Sequence, residues 1–292
     1  MSDFFNTGEF LYRDDFYTGE FFQQKADVYI GFAEDFEYNP LIRCQTGKFI
    51  DLSLFCGGDD DGWQNPRILF CYGHRLRAFI DKVLCRIQNS FILISHNSDE
   101  NICGDWPESI LKHPLLEMWY AQNACLSLKK YEKLRLLPIG LANSQWPHGN
   151  LQIFRVRKHM QQQKKPGSIY FQFKLETNFE KRSKCMSTLW SRLDWLCETA
   201  FETHLQRLAA HEFCICPEGN GVDTHRFWEC IYLRVVPIVV HSPFIANLMS
   251  LNCPMIVLEK WEDLFVVLDS KVLNYSHYVD KFSDFRFVWM DI

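Results

Sequence analysis

The sequence predicts an α/β protein made of two successive sets of alternating strands and helices. Three observations carry that prediction. Short apolar runs of strand length recur, as in Arg67–Cys71 (RILFC), Ser90–Ser95 (SFILIS), Phe213–Cys216 (FCIC) and Val235–Val240. Such near-continuous runs mark strands buried on both faces of a parallel sheet. Between them lie segments with apolar residues at helical spacing, the firmest being Leu76, Phe79, Ile80, Val83, Leu84 and Ile87. Lys164-Lys165-Pro166-Gly167 then separates the two sets as the best linker in the chain. The simplest architecture is two Rossmann-like domains facing a central cleft. They span 1–165 and 166–275, with a tail at 276–292 crossing back to the first.

Composition narrows the functional classes. The 292 residues are 47% hydrophobic and 23% charged with a net charge of −5, and no long block of like charge occurs. A general nucleic-acid binder should carry a basic patch, so that class is disfavoured. The apolar runs fall far short of the roughly 20 residues that span a bilayer. The start, MSDFFNTGEF, lacks the basic and apolar regions of a signal peptide. The 12 cysteines therefore read as reduced thiols, many of them buried, in a cytosolic setting. Cys214 and Cys216 have no matching Cys/His pair at zinc-site spacing, so no metal is expected.

Taken in order, the first 25 residues are aromatic and acidic without a period and read as an arm. Ala26–Phe32 is a first strand. An irregular stretch follows, ending in the acidic Asp59-Asp60-Asp61 between glycines. Arg67–Cys71, the Leu76–Ile87 helix and Ser90–Ser95 form a strand–helix–strand unit that runs into His96-Asn97-Ser98-Asp99-Glu100. Met118–Ala121 and Leu134–Ile139 are two more strands, and Phe154–Gln163 is a polar helix. The second set opens with the strand Ser168–Lys174. A helix runs from Thr177 to about Leu196, capped by Thr177 or Asn178, and another covers Phe201–Ala210. The strand Phe213–Cys216 follows, and then a break at Pro217-Glu218-Gly219-Asn220-Gly221. A helix from Asp223 to about Leu233 leads into Val235–Val240. A Phe244–Leu251 helix, a Pro254–Leu258 strand and a helix from Trp261 complete the set.

The break after Phe213–Cys216 is the chemically loaded point. Free N–H groups and the positive end of a helix dipole favour an anion such as phosphate there. Gly219 and Gly221 permit close backbone approach. Asp223 or Thr224 can cap the helix, His225 and Arg226 add donors in its first turn, and Glu229 follows one turn later. Each feature alone has a bland reading as a turn glycine or a cap. Their gathering at the carboxyl end of a buried strand is what points to a ligand.

The run Cys216–Val240, CPEGNGVDTHRFWECIYLRVVPIVV, resembles the donor-binding motif of exostosin-type glycosyltransferases of the GT-B fold. Its elements are a Pro, a glycine pair, Asp-x-His-Arg, Trp-Glu and a hydrophobic Pro-Ile-Val. Weaker matches are SHNSDENI, WYAQNACL and LLPIGLAN in the first half and SIYFQFKLETNFEKR opening the second. The likeness touches most of residues 90–265 and is strong only at 213–240. Short members of this family without a membrane anchor occur in bacteria and in large DNA viruses of algae. The resemblance thus implies a cytoplasmic enzyme, in the host cytoplasm if viral.

What the resemblance implies is transfer of a sugar from a nucleotide-diphosphate donor to an oligosaccharide or glycoprotein glycan. The donor would be a UDP-sugar such as UDP-xylose or another UDP-hexose or UDP-pentose, and no metal cofactor is expected. The Pro217–Gly221 loop and Asp223–Arg226 would face the diphosphate and sugar, Glu229 would accept from ribose hydroxyls, and Arg182, beside Asn178, would add a cation at the pyrophosphate. Asp99 and His96 are the candidate bases for the acceptor hydroxyl. Two alternatives stay open: a metal-dependent transferase built on Asp59–Asp61, and a non-catalytic carbohydrate- or nucleotide-binding module.

Overall fold

The computed structural model describes residues 16–37, 48–53, 67–159, 164–270 and 273–284. They divide into two compact units, one spanning Tyr17–Gly149 and the other running from Asn150 onward together with Phe16. Each is a mixed α/β unit around one parallel sheet, so the α/β class holds and both sheets are compatible with Rossmann-like halves.

In the N-terminal unit, β1 (Val28–Gly31), β2 (Lys48–Asp51), β3 (Ile68–Tyr72), β4 (Phe91–His96), β5 (Leu116–Gln122) and β6 (Leu134–Leu137) form a sheet of order β2-β1-β3-β4-β5-β6. Every pairing is parallel. The central β4 is buried along its whole length, as its unbroken apolar run requires. Leu69, Phe70, Phe79, Leu93, Ile94, Ile110 and Trp119 fill the core, each fully buried. Trp119 still satisfies its indole N–H by donating to Ser95 Oγ at 2.9 Å. The expected helix after β3 is broken into a Gly73–Arg75 turn, Leu76–Lys82 and a Leu84–Arg86 turn, with the apolar face unchanged. Elements from stretches without a periodic signal include β2, the short helices Ala33–Glu37 and Glu108–Leu111, and a short helix Gly19–Gln23 capped by Thr18, whose Oγ1 accepts from the Phe21 N–H at 3.1 Å.

The C-terminal unit holds β7 (Lys165–Tyr170), β8 (His211–Ile215), β9 (Val236–Val240) and β10 (Ile256–Leu258) in the order β10-β9-β8-β7, again parallel. The connections carry the helices Phe179–Leu189, Phe201–Ala209, His225–Tyr232 and Pro243–Ser250 close to their expected places. Phe213, Ile215, Trp228, Ile231, Val236, Ile238 and Leu248 make the core.

The Lys164–Gly167 linker does not survive as a linker. Lys164 Nζ donates to the carbonyls of Ala209, His211 and Leu233 at 3.0, 3.1 and 3.2 Å, and β7 begins at the next residue. The break between units falls at Gly149/Asn150, so the helix Leu151–His159 groups with the C-terminal unit. The Ser276–Asp284 helix groups there as well. Next to it, Tyr275 packs on Phe213 and donates its hydroxyl to the Arg234 carbonyl at 2.6 Å.

Candidate functional site

The carboxyl ends of β8, β9 and β10 open into a cavity of about 370 Å³. The Pro217–Glu218 loop, Asp223, Thr224 and Phe227 line it together with Val239–Ile245 and Glu259–Glu262. Lys181 and Lys184, one helical turn apart on the Phe179–Leu189 helix, bring cations to the loop side. This is where open α/β sheets hold ligands.

The loop is clamped from behind. Asn178 caps the Phe179–Leu189 helix by accepting from the Lys181 N–H, and its amide donates to the Gly219 carbonyl at 2.8 Å. Arg182 is buried and donates through Nε to the Glu218 carbonyl at 2.9 Å and through Nη1 to the Lys174 carbonyl at 2.6 Å. Gly219 lies against the guanidinium, and a Cβ there would sit 3.0 Å from Nη2, too close for any other residue without a shift. Because a trans peptide points its N–H opposite to its C=O, the carbonyl held by Asn178 turns the Asn220 N–H away from the clamping helix. Lys181 pairs with the Glu218 carboxylate. Arg182 and Asn178 therefore shape the loop through its carbonyls. Burial and the nearby Arg226 charge pull the Arg182 pKa down to about 10.

The helix after the loop is held by its own charged residues. Asp223 is buried and accepts from the Thr224 N–H at 2.9 Å and from the Trp228 indole at 2.8 Å. Thr224 occupies the N-cap position without a side-chain cap bond, and His225 is the first helical residue. Arg226 Nε donates to Glu229 Oε2 at 3.2 Å and Nη1 to the Gln172 carbonyl at 2.5 Å. Glu229 is buried and meets His204 Nε2 at 3.1 Å, and His204 Nδ1 meets the Tyr170 hydroxyl at 2.8 Å. Burial alone would raise the Glu229 pKa, but the His204 hydrogen bond and the His204 and Arg226 charges outweigh it and hold the carboxyl at about 2. For Arg226 burial opposes the charge, but Glu229 and the neighbouring Cys214, Tyr170 and Cys230 together outweigh it, so its pKa rises. A Tyr170–His204–Glu229–Arg226–Gln172 network thus runs through the base of the unit.

In the N-terminal unit, His96 is buried at the end of β4. Its Nε2 lies 2.7 Å from the Pro138 carbonyl and so donates, and Nδ1 lies 3.1 Å from Asn97 Oδ1. Asp99 is exposed, on a turn fixed by Gln122 and Asn123, which donate to the Ser98 carbonyl at 3.0 and 2.8 Å. Of the two, Asp99 is the one that a substrate could reach. The reversal of strand order between β1 and β3 is a second place where α/β sheets bind ligands. There Asp35 is enclosed by Arg75 (Nε 2.9 Å, Nη2 2.9 Å), His74 (3.1 Å) and the Phe32 N–H (2.8 Å). Burial raises the Asp35 pKa, but those partners outweigh it and leave the carboxyl below its ordinary value. The Asp59–Asp61 cluster lies outside the described residues.

Four participants escaped the sequence reading. Lys181 and Lys184 flank Arg182, and their spacing was the available signal. His204 sits in an ordinary amphipathic helix and gave none. Cys230 completes a group with Cys214 and Cys216 whose sulfurs all lie within 4.8 Å of one another, which only the fold brings together. No family model and no curated protein matches the chain.

Proposed function

We propose that this chain is a glycosyltransferase of GT-B arrangement. It takes a nucleotide-diphosphate sugar, a UDP-sugar in the simplest case, into the cavity at the carboxyl ends of β8–β10 and passes the sugar to a glycan acceptor. The observation that carries this reading is the clamped loop whose Pro217 and Glu218 line a cavity of about 370 Å³ together with Lys181 and Lys184. A diphosphate needs donors and positive charge fixed in advance, and this loop and helix supply both without a metal. Glu259 and Glu262 in the same lining suit sugar or ribose hydroxyls, which donate to carboxylates.

The roles within the motif shift accordingly. Arg182 and Asn178 act on the donor through the loop they hold, Glu229 acts through the helix it anchors, and Lys181 and Lys184 meet the phosphates. Asp99 is the base that would take the acceptor proton.

Calorimetric titration with UDP and a panel of UDP-sugars, with and without EDTA, tests the reading together with an assay of sugar transfer or donor hydrolysis. Saturable UDP binding that is indifferent to EDTA, with turnover of at least one donor, is the expected result. Absence of any nucleotide-diphosphate binding would sink the reading. Binding without turnover for every donor–acceptor pair would favour the non-catalytic module, and EDTA-sensitive turnover that Mg²⁺ or Mn²⁺ restores and Asp60→Ala abolishes would move the chemistry to Asp59–Asp61.

A further inference from the structure

Cys214 and Cys216 stand two residues apart at the end of β8, so their side chains share one face of the strand, and Cys230 approaches from the His225–Tyr232 helix. All three are buried, their sulfurs lie within 4.8 Å of one another, and Cys216 Sγ and Cys230 Sγ are 3.8 Å apart. Four-coordinate zinc holds sulfur at about 2.3 Å, which sets neighbouring sulfurs about 3.8 Å apart. The spacing of this cluster already matches one edge of that tetrahedron. Cys216 also lines the cavity, which gives an ion a way in and leaves a fourth coordination position facing solvent or a small ligand.

Charge supplies a second, independent observation. Buried Arg182 donates to backbone carbonyls and pairs with no carboxylate among the described residues, whereas Arg226 is matched by Glu229. A buried cation without a counter-charge is costly. Three thiolates around a divalent ion leave one net negative charge, opposite in sign to the buried guanidinium of Arg182.

We propose that Cys214, Cys216 and Cys230 form a binding site for a thiophilic divalent cation of the zinc class. On binding, the three thiols release their protons to solvent and three metal–sulfur bonds form, with no change of oxidation state. The ion ties the end of β8 to the helix that follows the Pro217–Gly221 loop. This proposal does not depend on the glycosyltransferase reading.

The test titrates the full chain, with exposed Cys85, Cys103 and Cys197 replaced by serine, with Cd²⁺ and then Zn²⁺, following sulfur-to-cadmium charge transfer in the ultraviolet. One equivalent should bind, with the band intensity of three thiolates. Cys214→Ala and Cys230→Ala should each weaken binding by more than about 100-fold, beyond the 10–100-fold lost with a mere supporting group. Cys253→Ala, at a buried thiol outside the cluster, should leave it unchanged. No tightly bound equivalent, or one that Cys230→Ala retains, overturns the proposal. Because a variant that unfolds would also lose the ion, cadmium NMR of the chain with the cluster intact gives a separate count. Three sulfur ligands are expected, and one or none overturns the assignment.

Discussion

The two sheets meet the same problem at their carboxyl edges and resolve it in opposite ways. In the N-terminal unit, polar side chains at that edge are spent on one another. Asn97 donates to Gln23 at 2.8 Å and accepts from Asn143 at 3.2 Å, Gln23 donates to the Tyr72 hydroxyl, and Asp35 is enclosed by Arg75 and His74. The Gly19–Gln23 helix presses so closely on this edge that a Cβ at Gly19 would overlap Asn97 Oδ1. In the C-terminal unit the charged groups are engaged with backbone or with each other behind the loop, and the space in front of it stays open as the cavity. A parallel sheet offers a ligand site at this edge only where the neighbouring side chains are satisfied from behind.

Glu229→Gln would break that contrast most severely. It leaves Arg226 without its carboxylate inside the unit, and removal of one partner of a buried pair costs roughly 3–5 kcal/mol. Urea unfolding would read the loss. The wild type should carry the same signature in pH. The folded pKa of Glu229 lies below its ordinary 4.5, so its contribution is full above about 4.5 and drains as pH falls toward about 2. The size is on the order of 3 kcal/mol. A stability profile that is flat between those limits would show that the network does not hold the helix.

Gly19→Ala tests the closed edge. Its methyl group must displace Asn97, which Gln23 and Asn143 hold in place, and overpacking of that kind costs about 1–3 kcal/mol. UDP affinity should not change, and if it does, the two edges are not independent. Arg182→Ala tests the open edge and should weaken UDP binding by about 1–3 kcal/mol, the scale of a charge-assisted hydrogen bond. If the loss is indirect, through the loop, then Asn178→Ala should reproduce a good part of it in the same titration. The smallest structural effect belongs to exposed Asp99. Asp99→Asn should leave stability and UDP binding within about 0.5 kcal/mol of wild type while abolishing transfer, and retained transfer would exclude Asp99 as the base.

Much of the fold was legible because buried parallel strands announce themselves as apolar runs: β3, β4, β8 and β9 fall within a residue or two of the predicted segments. The misses have physical causes. β2 is four residues long, and Gly19–Gln23 is a five-residue helix too short to show a period. Lys164–Gly167 has linker composition, yet a lysine can anchor its ammonium on three carbonyls while its stem packs, and composition does not distinguish the two uses. The site divides in the same way. That a loop breaks the chain at 217–221 between a buried strand and a helix was readable from its glycines and the helix after it. Which charged residues reach the cavity was not, because Arg182 and Glu229 are buried on backbone and side-chain partners, and nothing in a one-dimensional pattern separates an inward charge from an outward one. Cys230 lies fourteen residues beyond Cys216 with no second Cys or His beside it to complete a zinc pattern, and it joins its partners only by folding.

The strand that replaced the expected linker has a consequence for assembly. β7 ends the four-stranded order, and its exposed first residues include Pro166, which has no N–H to offer another strand. The register slips between Lys165 and Ile169, and the Gly167 N–H is taken by the Glu212 carboxylate at 2.6 Å. A bulge and a missing donor are features that blunt a sheet edge against pairing with a neighbouring chain. The residues that look like a flexible joint thus supply the blunted edge of this sheet.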